Sequence, residues 1–394
     1  MRHYTFCILH FVYYFCVMKE SINPFGTTAY LGEAYFCDRA EETAQLLKNI
    51  RQNDHTAFFA LRRMGKTALI QHVFALLAKE KNIACIYLDI YATQNLKDLT
   101  NQLANSIYKV FPEKTGIGKK FWELIKLLRP TISMDPMNGS PEISLDISQP
   151  KQLEKTIPQL LAFLEQHQIK TVIAIDEFQQ ILTYPETNVE AILRTSVQQL
   201  KKVTMIFCGS NQAMMQEIFN SAKRPFYASC KNINLQQITQ STYAQFIKDQ
   251  FTNYNRTISD EAIEEILDFT MLHTYYTQVF CHELFQLPNK KIELNNVQAI
   301  KQQLILENEG VFYQYRNLLT PSQWHLLKSI AKEIKLYQPY NKHFVTNYNL
   351  GSSAIVKRSL QSLLEKEMIY RDNAIKDPYY TVYDKFLLRW LCMQ

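Results

Sequence analysis

The sequence predicts an α/β fold built on a parallel sheet, and three observations carry that reading. Four apolar runs, TAFFAL (56–61), IACIYLDI (83–90), TVIAID (171–176) and VTMIFCGS (203–210), have the unbroken hydrophobicity of strands covered on both faces. The first run passes through ALRRMGKTALI into a stretch whose Leu69, Val73, Leu76 and Leu77 recur at helical spacing, so strand, loop and helix come in order. From residue 320 onward the pattern changes to helix, helix, turn, helix and hairpin, the order of a winged helix.

Residues 41–51 read as a helix before the first strand. Between the second and third strands, residues 129–148 carry three prolines and a glycine. The strand-like ISM and ISL flank the turn signal NGS, which predicts a loop or small hairpin. Beyond Pro225 the chain reads as helical to about Glu307, broken only by a short strand-like NINL. In the last segment Thr320 and Pro321 open a helix as N-cap and first-turn residue. KHFVTNYNL and SSAIVKRSLQSLLEKE are two further helices separated by Gly351, and MIYRDNAIKDPYYTVYD is two strands around a turn. The expected division is a leader at 1–20, a core at 21–225, a helical lid at 226–310 and a winged helix at 311–394.

Composition bounds the class. A chain of 394 residues, 47% hydrophobic and 20% charged, is long enough for two or three domains with cores of their own, which excludes a disordered chain. The formal charge of +6 is concentrated late, because residues 321–394 hold eleven Lys and Arg against six Asp and Glu. That excess fits either a solvated basic face or an acidic partner. Eight scattered cysteines without a C-x-x-C pair predict a reducing compartment and no structural zinc, with Cys85 and Cys208 as small core residues. The apolar stretch 6–18 is too short to span a bilayer and lacks a signal-cleavage pattern. Met18 is therefore expected as the true start, and a cytoplasmic protein without a membrane role is expected.

Chemistry concentrates in two places. Gly65-Lys66-Thr67 completes the second half of the phosphate-loop pattern G-x-x-x-x-G-K-[ST], with Ala60 where the first glycine belongs. Gly65 permits close backbone approach, Lys66 supplies charge to β and γ phosphates, and the Thr67 hydroxyl offers a Mg²⁺ ligand. Alanine at position 60 is tolerated if its φ is negative and costs about 1 kcal/mol if the turn needs a positive φ. Downstream, Asp176 and Glu177 end a buried strand, at the edge where open α/β sheets bind ligands. Asp176 would hold Mg²⁺ through water, and Glu177 would polarise the attacking water.

ALRRMGKTALI with IAIDEFQQI, then FCGSNQAMMQEIF and KRPFY, resemble the archaeal-type ATPases of the STAND branch of the AAA+ superfamily, which carry a C-terminal winged helix. NPFGTTAYLGEAYFCDRAEE and YYTVYDKFLLRWL are similar to the flanks of those proteins, so the resemblance covers roughly residues 21–394. It implies a P-loop NTPase with a five-stranded core, a helical lid and a winged helix, with ATP and Mg²⁺ as cofactors. By motif it implies a phosphate loop of Arg62, Arg63, Met64, Gly65, Lys66, Thr67 and Ala68, and a Walker B pair of Asp176 and Glu177. Ser210 or Asn211 takes the polar sensor place, and Arg224 is a candidate sensing or finger arginine. The sequence departs from the family at Ala60 and at MLHTYYTQ, where glycine and proline would surround His273 and Thr274.

In the winged helix, Ser352 would cap a recognition helix bearing Lys357 and Arg358, with Arg371 and Lys376 in the wing, placed for duplex DNA phosphates. The same helix offers few side chains for reading bases, and winged helices also dock proteins, so both partners stay open. Two functions are consistent with these residues. One is an ATP-hydrolysing molecular switch whose winged helix couples nucleotide state to DNA or a protein client, with homo-oligomers as a further expectation. The alternative is a non-hydrolysing, nucleotide-stabilised DNA-binding or protein-docking module, which Ala60 would favour.

Overall fold

In the computed structural model, residues 23–134, 141–145, 147, 149–372 and 377–394 are described. The leader and Lys376 lie outside them, as does the turn signal at 138–140. The strands β1 (Thr56–Phe59), β2 (Ile83–Asp89), β5 (Lys170–Asp176), β6 (Val203–Gly209) and β7 (Lys231–Asn234) form one parallel sheet in the order β2-β5-β6-β1-β7. Every residue of β1 and β6 is buried, as is all of β5 after Lys170, which is why their sequences run apolar without alternation. The strand-like NINL is edge strand β7, and it brings the sheet to the expected five strands.

Register then sets the functional edge. Asp89 lies opposite Asp176, Ile175 opposite Phe207, and Phe59 opposite Gly209. The C-terminal ends of four strands therefore finish level, and the loops leaving them border one cleft. Between β2 and β5 the chain adds helices Leu96–Val110 and Gly116–Leu127 and a hairpin in which β3 (Pro130–Met134) pairs antiparallel with β4 (Pro141–Leu145). The hairpin is tied to the first of these helices by Asn105, whose amide accepts from Ile143 N–H at 2.7 Å and donates to Ile143 C=O at 2.8 Å.

The lid is the helices Gln240–Asn253, Asp260–Thr270, Thr274–Gln286 and Leu294–Leu318. A two-residue parallel pair, β8 (Thr257–Ile258) and β9 (Lys291–Ile292), ties the loops between them. Helix Leu294–Leu318 runs straight through the boundary expected at 310. A single apolar core joins the lid to the C-terminal unit, with Phe269, Phe280 and Phe312 packed in one cluster with Trp324 and Trp390. Phe25 enters that cluster too, between the rings of Phe246, Phe251 and Phe285, and carries the segment after it to the lid.

The C-terminal unit is a winged helix. Helix Pro321–Glu333 opens on a capping box of Thr320 and Gln323. Helices Lys342–Asn347 and Ser353–Glu365 come next, the second capped by Ser352. The wing is β10 (Ile369–Asp372) against β11 (Tyr379–Val382), extended by a bridge between Leu336 and Tyr380. A final helix, Lys385–Cys392, is an element the sequence pattern did not mark. Asp384 caps it, and it packs against the long lid helix and the first helix of the unit.

Candidate nucleotide site

The phosphate loop connects β1 to helix Lys66–Leu77. Its backbone turns left-handed at Arg63 (φ 62°) and Gly65 (φ 89°), and not at Ala60. Gly65 is the helix N-cap, and glycine suits it because the conformation crowds a Cβ. Ala60 is fully buried in one cluster with Phe58, Ile206 and Cys208, so its methyl packs in the core without backbone strain. The left-handed Arg63 costs about 1 kcal/mol and is held from the lid. Tyr275 N–H donates to Arg63 C=O at 3.1 Å, and the Arg63 guanidinium lies 4.4 Å from the centre of the Tyr275 ring.

Lys66 meets both strand-end carboxylates, Asp176 Oδ1 at 2.6 Å and Glu177 Oε1 at 3.2 Å. Asp176 also accepts from Thr67 Oγ1 at 3.0 Å, Tyr87 Oη at 2.7 Å and the Glu177 N–H at 2.9 Å. Burial alone would raise the Asp176 carboxyl, but Lys66 and these hydrogen bonds outweigh it and leave the group below its ordinary value. Glu177 behaves alike: burial opposes ionisation, while Lys66, Gln179 and Ser210 bring its carboxyl down. Burial would likewise lower Lys66, and the two carboxylates reverse the sign and raise it. At neutral pH all three are charged. Tyr87, Gln179 and Asp89, which lines the same pocket, were not singled out by their sequence context. Tyr87 and Asp89 are two apart on β2 and share a face, a period-2 signal that could have found them.

Of the two sensor candidates, Ser210 reaches the site. Its hydroxyl donates to Glu177 Oε2 at 2.7 Å, beside Gln179 Nε2 at 2.5 Å on the same oxygen. Asn211 instead caps helix Gln212–Asn220, accepting from Met214 N–H at 3.1 Å. Arg224 pairs with Glu190 at 3.4 Å and Glu217 at 3.0 Å in its own chain and does not line the pocket. The Met64 side chain is buried in the core with Leu69 and Ile70, which leaves the loop only its backbone at that position.

The pocket over the loop has a volume of about 590 Å³ and is closed by residues 26–31 on one side and by Thr274 and Gln278 of the lid on another. It is in the range that holds a nucleotide-sized ligand. Thr274 Oγ1 and Gln278 Oε1 are buried polar atoms without a hydrogen-bond partner, on two lid residues that line this pocket; the Thr274 side chain faces Gly65 with its methyl group. His273, 1% exposed, is pushed down to about 3 by burial first, then by Lys385 and Arg63, and is therefore neutral. The oxygen pair of Thr67 and Asp176 suits Mg²⁺, a hard cation held by oxygen. Among the described residues no group of three or more His, Cys, Asp or Glu could hold a metal by itself, and the six described cysteines are free.

In the winged helix Lys357 and Arg358 are exposed on helix Ser353–Glu365, and Arg371 is exposed on β10 over the Tyr380 ring. None of the described helices is long and apolar enough to cross a membrane.

No curated protein matches this chain. Solved structures do: a Walker-type ATPase of Pyrococcus abyssi at 15% identity and a TM-score of 0.64, covering 93% of this chain and 99% of that one. The ORC2 protein of Aeropyrum pernix, solved in ADPNP and ADP complexes, matches at 12% identity and a TM-score of 0.57, covering 94% and 96%. At such identities they show the shared fold. Residues 310–393 match a probable winged helix domain. Residues 36–271, more than half of the chain, match an ATPase domain found predominantly in Archaea, and the chain belongs to that ATPase family.

Proposed function

We propose that the chain is an ATP-hydrolysing switch in which the phosphate loop and the winged helix compete for Arg62. The observation that carries this reading is a three-way contact at that residue. Its main-chain N–H donates to the Tyr383 hydroxyl at 2.7 Å, its guanidinium pairs with Glu367 at 2.5 Å, and its Nε donates to Ser210 Oγ at 3.3 Å. Tyr383 and Glu367 belong to the winged helix, and Ser210 holds Glu177. Phosphates cradled by loop amides would draw on the same N–H and the same guanidinium. Binding would therefore loosen the winged helix, and a partner that pulls the winged helix away would free the loop, as linkage requires.

The residues divide the work. Lys66, held ready by two carboxylates, would transfer its charge to the β and γ phosphates. Its departure would leave Glu177 Oε1 free to polarise water, while Ser210 and Gln179 keep the other oxygen in place. A Mg²⁺ ion held by Thr67 and, through water, by Asp176 would neutralise phosphate charge. Lys357, Arg358 and Arg371 are free to meet an acidic surface, and duplex DNA is the partner their exposure favours. The ground for a non-hydrolysing module is weakened, since Ala60 packs without strain.

The test is ATP turnover by the full chain beside Glu177→Gln and the double variant Tyr383→Phe with Glu367→Gln, each with and without duplex DNA. Glu177→Gln is expected to lower turnover about 10²–10⁴-fold and spare ATP binding. The double variant is expected to tighten ATP severalfold. Equal turnover in Glu177→Gln would reject the assignment of the base. Stabilisation by ATP with no turnover in any variant would favour the docking module.

A further inference from the structure

Strand β2 brings a phenol to Asp176. Tyr87 is half-buried against the core cluster that includes Leu69, Ile70 and Val73 of the phosphate-loop helix. That hydroxyl donates to Asp176 Oδ2 at 2.7 Å, and Thr67 Oγ1 donates to the same oxygen at 3.0 Å. Lys66 Nζ and the Glu177 N–H occupy Oδ1, at 2.6 Å and 2.9 Å. A carboxylate has about four acceptor sites, and here all are taken.

The arrangement changes in one place when Lys66 moves to phosphate. One site at Oδ1 opens, while Oδ2 remains held by two hydroxyls. The carboxylate would then keep three of its partners and have one vacant acceptor site, which a metal-bound water could fill. Thr67 alone would pin it poorly, because its oxygen is itself the expected metal ligand. We propose that Tyr87 is a positioning residue that holds Asp176 in its metal-binding orientation and so sets the divalent-cation affinity of the site. The inference rests on the reading of Thr67 and Asp176 as the Mg²⁺ site.

The test uses Mn²⁺ as probe, its binding followed by electron paramagnetic resonance with the full chain and a non-hydrolysable ATP analogue. Tyr87→Phe keeps the ring and its packing. The expected result is Mn²⁺ affinity weakened about 10–100-fold, the usual effect of losing a hydrogen bond to a ligating group. Analogue affinity in EDTA should be unchanged, which shows the fold is intact, and saturating Mn²⁺ should restore turnover. Mn²⁺ affinity unchanged or tightened in Tyr87→Phe overturns the inference while leaving the nucleotide site standing. A wild-type chain that binds the analogue but shows no nucleotide-dependent Mn²⁺ binding overturns the metal-site reading and the inference with it.

Discussion

Two lysines are buried among the described residues, and they meet opposite fates. Lys66 is 7% exposed and lies against two carboxylates, which hold its proton on despite burial. Lys385 is 1% exposed, and its hydrogen bonds go to neutral oxygens, Val382 C=O at 2.9 Å and Tyr370 Oη at 3.4 Å. Burial brings it down to about 7; Asp384 and Asp372 oppose the shift, and Arg389 and Lys335 add to it. Depth alone does not decide whether a lysine keeps its charge. Lys66 keeps its charge because two carboxylates lie against it, whereas Lys385, brought down to about 7, stands between its charged and neutral forms at neutral pH.

The comparison predicts opposite signs for the same substitution. Lys66→Met removes the cation from a nearly closed network and leaves the Asp176 carboxylate buried without its partner. It should destabilise the chain by about 3 kcal/mol at pH 7, within the range for breaking a buried pair, and abolish any rise in melting temperature on adding ATP. Asp176 and Glu177 have folded values below their unfolded ones, so their contribution is present above about pH 4 and lost as pH falls through the folded values. The cost of Lys66→Met should therefore shrink toward acid. Denaturant unfolding between pH 3 and 7 checks this, and a cost that does not change with pH would break the comparison.

Lys66 was legible and Lys385 was not, for a physical reason. The phosphate loop, the strand ends and the winged-helix order are local patterns, in which a few adjacent residue types determine the backbone. Asp176 and Glu177 could be placed because a strand that is apolar on both faces ends there. Contacts between distant segments leave no such mark. Tyr383 meets Arg62 across 321 positions of sequence, and nothing in YYTVYD distinguishes that hydroxyl from its neighbours. Arg224 and Asn211 show the converse. Their residue types suggested a place at the site, while the contacts they make are with Glu190 and Glu217 for Arg224 and at a helix N-terminus for Asn211.

Lys385→Met should stabilise the chain at pH 6–7 by about 2 kcal/mol, because methionine fills similar volume without a charge to desolvate. The sign with pH comes from linkage. The folded value lies below the unfolded one, so between about pH 7 and 10 the unfolded chain binds the extra proton and wild-type stability rises. The advantage of the variant should fade over that window. Buried thiols such as Cys37, Cys85 and Cys230, raised to about 12 chiefly by burial, pull the other way above about pH 9. The informative quantity is therefore the difference between wild type and variant. A constant difference from pH 6 to 10 would show that Lys385 keeps its proton in the folded state.

Tyr370→Phe separates the two ways in which the Lys385 ammonium is held. The Tyr370 ring centre lies 4.9 Å from Lys385 Nζ, so the ring can attract the cation through its face, while the hydroxyl at 3.4 Å is a long and weak acceptor. Phenylalanine keeps the ring and deletes the hydroxyl. If the ring dominates, stability at pH 6 should fall by no more than about 0.5 kcal/mol, and the fading of the Lys385→Met advantage should keep its midpoint. If the hydroxyl dominates, the loss should approach about 1.5 kcal/mol, and the midpoint should move to lower pH, because the charged form alone loses an acceptor. Either way the effect stays smaller than at Lys66, where the partners are charged and the lysine cannot shed its proton to escape the loss.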